Sequence, residues 1–385
     1  MAQAGKQKKR KQLLKSGFDL PFFLLVMVLL LLGLVMMFSA SYADAYYNHG
    51  QDALYYIKRQ GAFALLGVAA LLFMSRYDYH RLHKFAWPVL VITYGLLMLV
   101  LVMPAGTAGV HRWIKFGPIN IQPSEVAKFA IILTFAHLVS IYASKRNDRM
   151  KTFKYGVVPF LLILGSVAAL IRMEPHLSAT IIVLMIGLTL MFIGGTKLRW
   201  FFAGGGIAGA AIFFATVMTH ASKYGQGRIK TWLDPFSDPT NNGWQIIQSL
   251  YAIGSGGLMG LGLGKSRQKY LYISEPQNDF IFPVICEELG FIGAVIIIIL
   301  FALLIWRGYV IAMRAPDKFG SLLAVGLITQ VGLQAILNIA VVTNTIPNTG
   351  ISLPFFSYGG SSLVMLMFEM GIVLSVSRYS SVEQT

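Results

Sequence analysis

The chain has 385 residues and a formal charge of +16; 56% of its residues are hydrophobic and only 12% are charged, against about 25% in soluble domains. A soluble fold of this length could not bury so much apolar surface, and a nucleic-acid binder would gather its cations on one polar face. Here the 32 Lys and Arg sit in short clusters between long apolar runs. Soluble globular, disordered and nucleic-acid-binding classes are therefore excluded, and an all-α polytopic membrane protein remains.

A membrane-crossing helix needs about 20 mostly apolar residues. Ten runs meet or approach that length: Leu20–Ser41, Ala62–Ser75, Phe85–Met103, Glu125–Ala143, Val157–Ile171, Ala179–Gly194, Trp200–Met218, Phe280–Trp306, Leu322–Val342 and Gly359–Ser377. The second and fifth are short. The first is too long for a removed signal peptide and lacks a small-residue cleavage site. Before it lies a basic tail, residues 1–19, with Lys6, Lys8, Lys9, Arg10, Lys11 and Lys15, which the positive-inside rule places in the cytoplasm. Alternating the loops then puts 20 of the 32 cations on that side. Both termini, including the short tail 378–385, are expected in the cytoplasm. The 20–377 segment reads as one ten-helix domain. Its one large soluble region is the extracytoplasmic loop 219–278 between helices 7 and 8, which mixes aromatic, apolar and basic residues as interfacial helices do.

Polar groups in or beside spans are costly and raise functional questions. In chain order, the first are Arg112-Trp113-Ile114 and Gln122-Pro123-Ser124-Glu125, in and after an outer loop; Trp113 alone would serve as an interfacial anchor. Glu125 and Lys128, three residues apart, share a helix face. They either tie helices together as an ion pair or line a polar cavity opening outward. Glu174 and His176 pose the same choice, while Arg172 is placed to snorkel.

The stretch Gly254–Ser266, GSGGLMGLGLGKS, resembles a phosphate loop. Met259 stands where both the Walker A and the dinucleotide patterns require glycine, so nucleotide binding is rejected. A glycine-rich backbone followed by Lys265, Arg267 and Lys269 can still cradle another phosphate, or it is a solvated turn. Asp279 stands at the outer edge of the eighth span, with Glu287 on its face at i, i+8 and Glu288 beside that. Desolvation at such a mouth raises an acid's proton affinity and suits a general base; a helix N-terminal Asp is the plainer reading. Cys286 reads as a small apolar residue. Pro347 and Pro354 break the chain before Ser357-Tyr358-Gly359-Gly360-Ser361-Ser362. Irregular backbone at membrane depth is tolerated only against protein or a water-filled cavity; close helix packing through small residues is the alternative. Glu369, deeper in the last span, needs a buried partner or a proton.

Several long stretches in order resemble the SEDS family of FtsW, RodA and SpoVE. They are RWI at Arg112, QPSEVAK from Gln122, GWQIIQSLYAIGSGGLMGLGLGKSRQKY from Gly243, EPQNDFIF from Glu275, EELGFIG from Glu287 and LPFFSYGGSS from Leu353. The wording around Asp279 and Leu353 is nearer the FtsW and SpoVE branch. The resemblance implies an inverting peptidoglycan glycosyltransferase of the bacterial cytoplasmic membrane. Such an enzyme polymerises lipid II into β-1,4 strands and releases undecaprenyl pyrophosphate, in division or in septal or spore wall synthesis. Asp279 falls on the family's essential aspartate, whose proposed role is general base for the acceptor 4-hydroxyl. Arg112, Gln122, Glu125, Lys128, Lys265, Arg267, Lys269, Ser357, Gly359, Gly360 and Ser361 are the candidate substrate contacts, with Glu287 and Glu288 as supporting acids.

Partners implied are lipid II, a class B penicillin-binding transpeptidase and other division proteins. No metal ligand set is evident and no cofactor is assigned, although a divalent cation is compatible. One departure stands out: where relatives read QPDLGT, this chain has Glu174-Pro175-His176-Leu177-Ser178-Ala179, which moves the acid by two residues. Two other functions share the polar cavity. A lipid II flippase needs a cytoplasmic entrance, yet the polar motifs crowd the outer face; a non-enzymatic scaffold recruiting a transpeptidase would tolerate loss of Asp279.

Overall fold

The computed structural model describes residues 17–103, 112–116, 119–143, 149–174, 176–201, 231–241, 243–270 and 272–379. Among these the helices of twelve residues or more run α1 (Leu20–Asn48), α2 (Tyr55–Arg76), α3 (Ala86–Val102), α4 (Pro123–Tyr142), α5 (Val158–Met173), α6 (Leu177–Ile193), α7 (Trp244–Ser255), α8 (Ile281–Met313), α9 (Lys318–Val342) and α10 (Gly360–Tyr379). Eight helical stretches are long and apolar enough to cross a membrane, and α6 is a shorter apolar helix. The expected seventh span, Trp200–Met218, lies outside the described residues apart from its first two, as do both outermost tails (1–16 and 380–385) and loop residues 219–230. A small antiparallel hairpin, β1 (Ile114–Phe116) and β2 (Ile119–Ile121), departs from the otherwise helical pattern.

Most helices outrun the apolar segments that announce them, because polar residues at their ends find partners in the fold. α1 continues to Asn48 with Asp44 accepting the Tyr56 hydroxyl (2.6 Å) and the Gln277 amide (3.1 Å). α2 starts at Tyr55, not Ala62, and buries Gln60, whose amide exchanges contacts with Ser357 O (3.4 Å) and Gly359 N (3.3 Å). At its start α1 is capped by Asp19, which accepts from Phe22 N at 3.0 Å, satisfying one orphan donor of the first turn. Arg307 of α8 grips the same carboxylate at 2.8 and 3.0 Å, and Asp19 N donates to Ser377 Oγ of α10 at 3.1 Å. The start of α1, the far part of α8 and the end of α10 thus meet at one end of the bundle.

The interior is built around α4, α9 and α10, whose residues are mostly buried, while α2, α3 and α8 turn broad apolar faces outward. Leu65, Phe73, Val91, Ile92 and Phe291 are each more than half exposed, as a lipid-facing surface requires. The polar positions gather at the end of the bundle opposite Asp19.

Candidate functional site

At that end a cavity of about 430 Å³ opens between the first turns of α4 and α10, the start of α2, the chain before α6, and the segments that precede α8 and α10. Its volume falls in the range of small-molecule sites. Asp279 lies in its wall, two residues ahead of α8, on a stretch fixed from several sides. Asn338 of α9 donates to Asp279 O (2.8 Å) and Ile351 O (2.5 Å). Ser357 Oγ donates to Asn278 O (2.7 Å), and Tyr358 N donates to Gln277 O (2.7 Å). These bonds lock the 275–279 and 350–358 segments together, so the carboxylate is presented by backbone anchors. Burial pushes the Asp279 carboxyl up to about 6, with Glu275 adding repulsion and Arg112 opposing both. The group is therefore a carboxylate at neutral pH with unusual proton affinity, which suits a general base.

Gly350, in the left-handed region at φ 61°, brings its backbone beside this acid; a Cβ there would stand 2.9 Å from Asp279 Oδ2. The left-handed φ favours glycine, and an added methyl group would push the carboxylate aside.

Charged and amide side chains share the cavity wall with Asp279. Arg112, Gln122, Glu125 and Lys128 all line it. Glu125 and Lys128 pair at 2.7 Å across one helical turn, and Lys128 is 2% exposed in its side chain; the pair and the cavity wall are the same feature, so the two readings of the sequence coincide. Gly359, Gly360 and Ser361 line the cavity too, and Ser361 Oγ is buried without a hydrogen-bond partner. Ser357 sits behind that wall, its hydroxyl engaged by Leu353 N (2.7 Å) and Asn278 O.

His176 is in the lining, with Nδ1 3.4 Å from Ser124 Oγ. Burial, Arg112 and Lys128 hold its imidazole down to about 3, so it is neutral there. Glu174 is buried just beyond α5, outside the lining. Both its oxygens lack a hydrogen-bond partner, and burial pushes it up to about 8 against the pull of Arg112.

Two expected groupings do not form. Asp279 and Glu287 do not share a helical face, because α8 begins at Ile281, after Asp279. Glu287 and Glu288 turn away to the glycine-rich loop, which they fill with acceptors: Gly264 N (3.0 Å) and Ser266 N (3.2 Å) bond Glu288, and Arg267 N (3.0 Å) and Gln268 N (3.3 Å) bond Glu287. The donors that could cradle an outside phosphate are taken by the protein's own carboxylates. Lys269 is buried against Glu288 at 2.9 Å, and none of Lys265, Arg267 and Lys269 lines the cavity.

The cation that sequence reasoning missed is Arg59, at the start of α2, which lines the cavity with its guanidinium 4.4 Å from the Tyr55 ring centroid. Its signal was weak, since it reads as an ordinary loop residue beside a short span. Asn338 was equally silent. Among the described residues no group of three or more His, Cys, Asp or Glu side chains is placed to hold a metal ion.

Comparison with known proteins gives consistent findings. The cell cycle protein family model of FtsW, RodA and SpoVE matches residues 20–382. The stage V sporulation protein E of Bacillus subtilis is 42% identical over 368 residues, covering 95% of this chain and 98% of that protein. A probable peptidoglycan glycosyltransferase FtsW of Trichlorobacter lovleyi is 40% identical, covering 96% and 95%. Among solved structures, a chain from a peptidoglycan synthase complex that coordinates polymerization and crosslinking superposes with a TM-score of 0.78 at 27% identity, covering 94% of this chain and 98% of that one. RodA of Thermus thermophilus gives 0.67 at 27% identity, covering 94% and 97%.

Proposed function

Because the chain belongs to the FtsW, RodA and SpoVE family of cell cycle proteins, we propose that it is a peptidoglycan glycosyltransferase whose active site is the cavity around Asp279. Its substrate in this reading is lipid II, and its product a β-1,4 glycan strand. The observation that carries the reading is one acid of raised proton affinity, anchored in the wall of a polar cavity that Arg59, Arg112 and Lys128 also line.

In this mechanism Asp279 accepts the proton of the acceptor sugar's 4-hydroxyl as that oxygen attacks the donor's anomeric carbon. The new C–O bond forms while the bond from that carbon to the pyrophosphate oxygen breaks, and its electron pair leaves with undecaprenyl pyrophosphate. Attack from the face opposite the leaving group inverts an α linkage to β, and no water needs activation. Arg59 and Arg112 offer guanidinium forks to the departing pyrophosphate, a match of geometry as well as charge. Lys128, held by Glu125, adds a fixed positive charge deeper in the cavity. Ser361 and the first turn of α10 supply further donors. A divalent cation would have to be held largely by the pyrophosphate, given the protein's donor set, and no step here depends on one. The site faces outward in the cytoplasmic membrane with both termini inside, and a class B penicillin-binding transpeptidase is the expected partner.

Purified wild type and Asp279→Asn, each alone and with such a transpeptidase, are supplied with labelled lipid II. Glycan chains are expected from the wild type, with a loss of at least about a hundredfold in the variant, the scale of general-base removal. Equal polymerisation by both would overturn the assignment of the base. Lipid movement across vesicles without any chain formation would replace the enzyme by a transporter.

A further inference from the structure

The glycine-rich loop is left without a role by the site just described, yet its backbone is hydrogen-bonded along most of its length. Where it meets α8 that helix is broken: Gly290 has φ 69° and ψ −172°. The break frees backbone groups, and the loop uses them. Leu261 N donates to Glu287 O (2.9 Å) and Gly262 N to Glu288 O (3.0 Å), while Phe291 N and Ile292 N donate to Gly257 O (2.9 Å) and Leu258 O (3.2 Å). The approach leaves no room for a side chain, since a Cβ on Gly290 would lie 2.2 Å from Gly260 N. Most of the remaining loop donors end on the Glu287 and Glu288 carboxylates. Ser39 Oγ (2.7 Å) and Lys269 Nζ (2.9 Å) also donate to Glu288, and Lys269 Nζ reaches Gly264 O (2.8 Å).

A loop whose polar backbone is satisfied from within meets the condition for irregular chain at membrane depth. Its depth follows from α8, whose 33 residues span about 50 Å at 1.5 Å per residue, well beyond a 30 Å hydrocarbon core. About half of the surplus, roughly 11 Å at 5.4 Å per turn, is the buried first two turns near Asp279, and the rest runs from Arg307 to Met313 at the other end. The contact with the loop falls where α8 begins to show apolar side chains outward: Phe291 is 62% exposed and Ile296 and Ile299 are each 50% exposed. The loop continues that surface, with Leu258 69%, Met259 80% and Leu263 58% exposed. Beside these, Lys265 and Arg267 are exposed while Lys269 is sealed inside.

We propose that residues 257–267 form a re-entrant wedge that sinks Leu258, Met259 and Leu263 into the leaflet on the cavity side, with Lys265 and Arg267 binding phosphates of anionic phospholipid at its rim. Apolar depth combined with rim cations is the pattern of interfacial membrane segments, and each cation contributes about fivefold to partitioning onto an anionic surface. The partner is thus the bilayer itself, and the wedge fixes how deep the Asp279 end of α8 rides.

The test uses the full chain in nanodiscs, in a Cys286→Ala background with Met259→Cys carrying an environment-sensitive fluorophore. Quenching by spin-labelled acyl chains, with little quenching by aqueous iodide, is expected; the reverse would overturn the wedge. In the second arm, wild type and a Lys265→Gln/Arg267→Gln double variant are compared for enrichment of phosphatidylglycerol from phosphatidylcholine discs containing a minor fraction of it. The variant should show roughly a twenty-five-fold weaker preference, the product of two fivefold terms, with its fluorophore still lipid-quenched, which reports an intact loop. Equal enrichment in both proteins would overturn the headgroup assignment. If the double variant instead loses only affinity for a polyprenyl pyrophosphate added to discs lacking phosphatidylglycerol, the two cations belong to the substrate and the assignment likewise falls. Neither arm reads glycan synthesis, so failure here is distinct from failure of the proposed reaction.

Discussion

Two glycine- and serine-rich segments, Gly254–Ser266 and Ser357–Ser362, have similar compositions and opposite fates. In the first, backbone donors end on Glu287, Glu288 and their carbonyls, and Lys269 is locked on Glu288. In the second, Gly359, Gly360 and Ser361 border the cavity and Ser361 Oγ has no protein partner. Glycine supplies bare backbone in both cases. Whether that backbone is available to a ligand depends on whether a carboxylate from another element has already taken it.

The contrast can be broken most forcefully at Lys269. Lys269→Met leaves the Glu288 carboxylate buried without its counter-ion and should destabilise the protein by about 3–5 kcal/mol; Lys265→Met, at an exposed neighbour, should change stability by less than about 0.5 kcal/mol. Thermal unfolding in detergent reads the difference, and equal melting points would mean the loop is not sealed as described. On the cavity side the corresponding lesion is Gly350→Ala, which combines an unfavourable φ with a Cβ 2.9 Å from Asp279 Oδ2. Displacing the carboxylate should lower kcat about tenfold or more with the melting temperature changed far less; a fall in melting temperature alone would make Gly350 a folding residue only.

A subtler difference lies in pH dependence. The base must be ionised, and Asp279 is raised to about 6, so polymerisation should rise with pH through about 6 and level off above it. Glu275→Gln removes a negative neighbour and should move that midpoint to lower pH. Arg112→Gln removes the one favourable charge and should move it higher. Initial rates across pH 5–8 check both directions, and shifts of the opposite sign would remove Asp279 from the titration. Glu287→Gln, on the sealed side, should leave the midpoint where it is.

Much of this architecture was legible because a hydrocarbon core imposes one rule on every span. The apolar runs of α1, α4, α9 and α10 announce themselves, and the ion pair of Glu125 and Lys128 is implied by their spacing. What the rule does not reach is the polar end of a helix that protein, not lipid, surrounds: the first turns of α2 with Arg59 and Gln60 could not be told from loop. Asp279, Arg112 and Lys128 were visible as polar residues at costly positions. Asn338 was not, since its importance lies in bonding the carbonyls of Asp279 and Ile351, 59 and 13 residues away. The backbone-cradle part of the phosphate reading of Gly254–Ser266 failed for the same reason, because the acceptors that occupy its N–H groups come from α8.

The junction of Asp19, Arg307 and Ser377 bears on how the protein is made. Asp19 caps α1 locally through Phe22 N, but it is also bonded to residues 288 and 358 positions later in the chain, so its tertiary contacts form only once α8 and α10 are present. The Asp19 carboxylate gains its guanidinium with α8, which carries Arg307, and its backbone N–H gains Ser377 only with α10. A nascent chain halted before Ser377 would hold nearly every apolar span and still lack the contact that joins its beginning to its end.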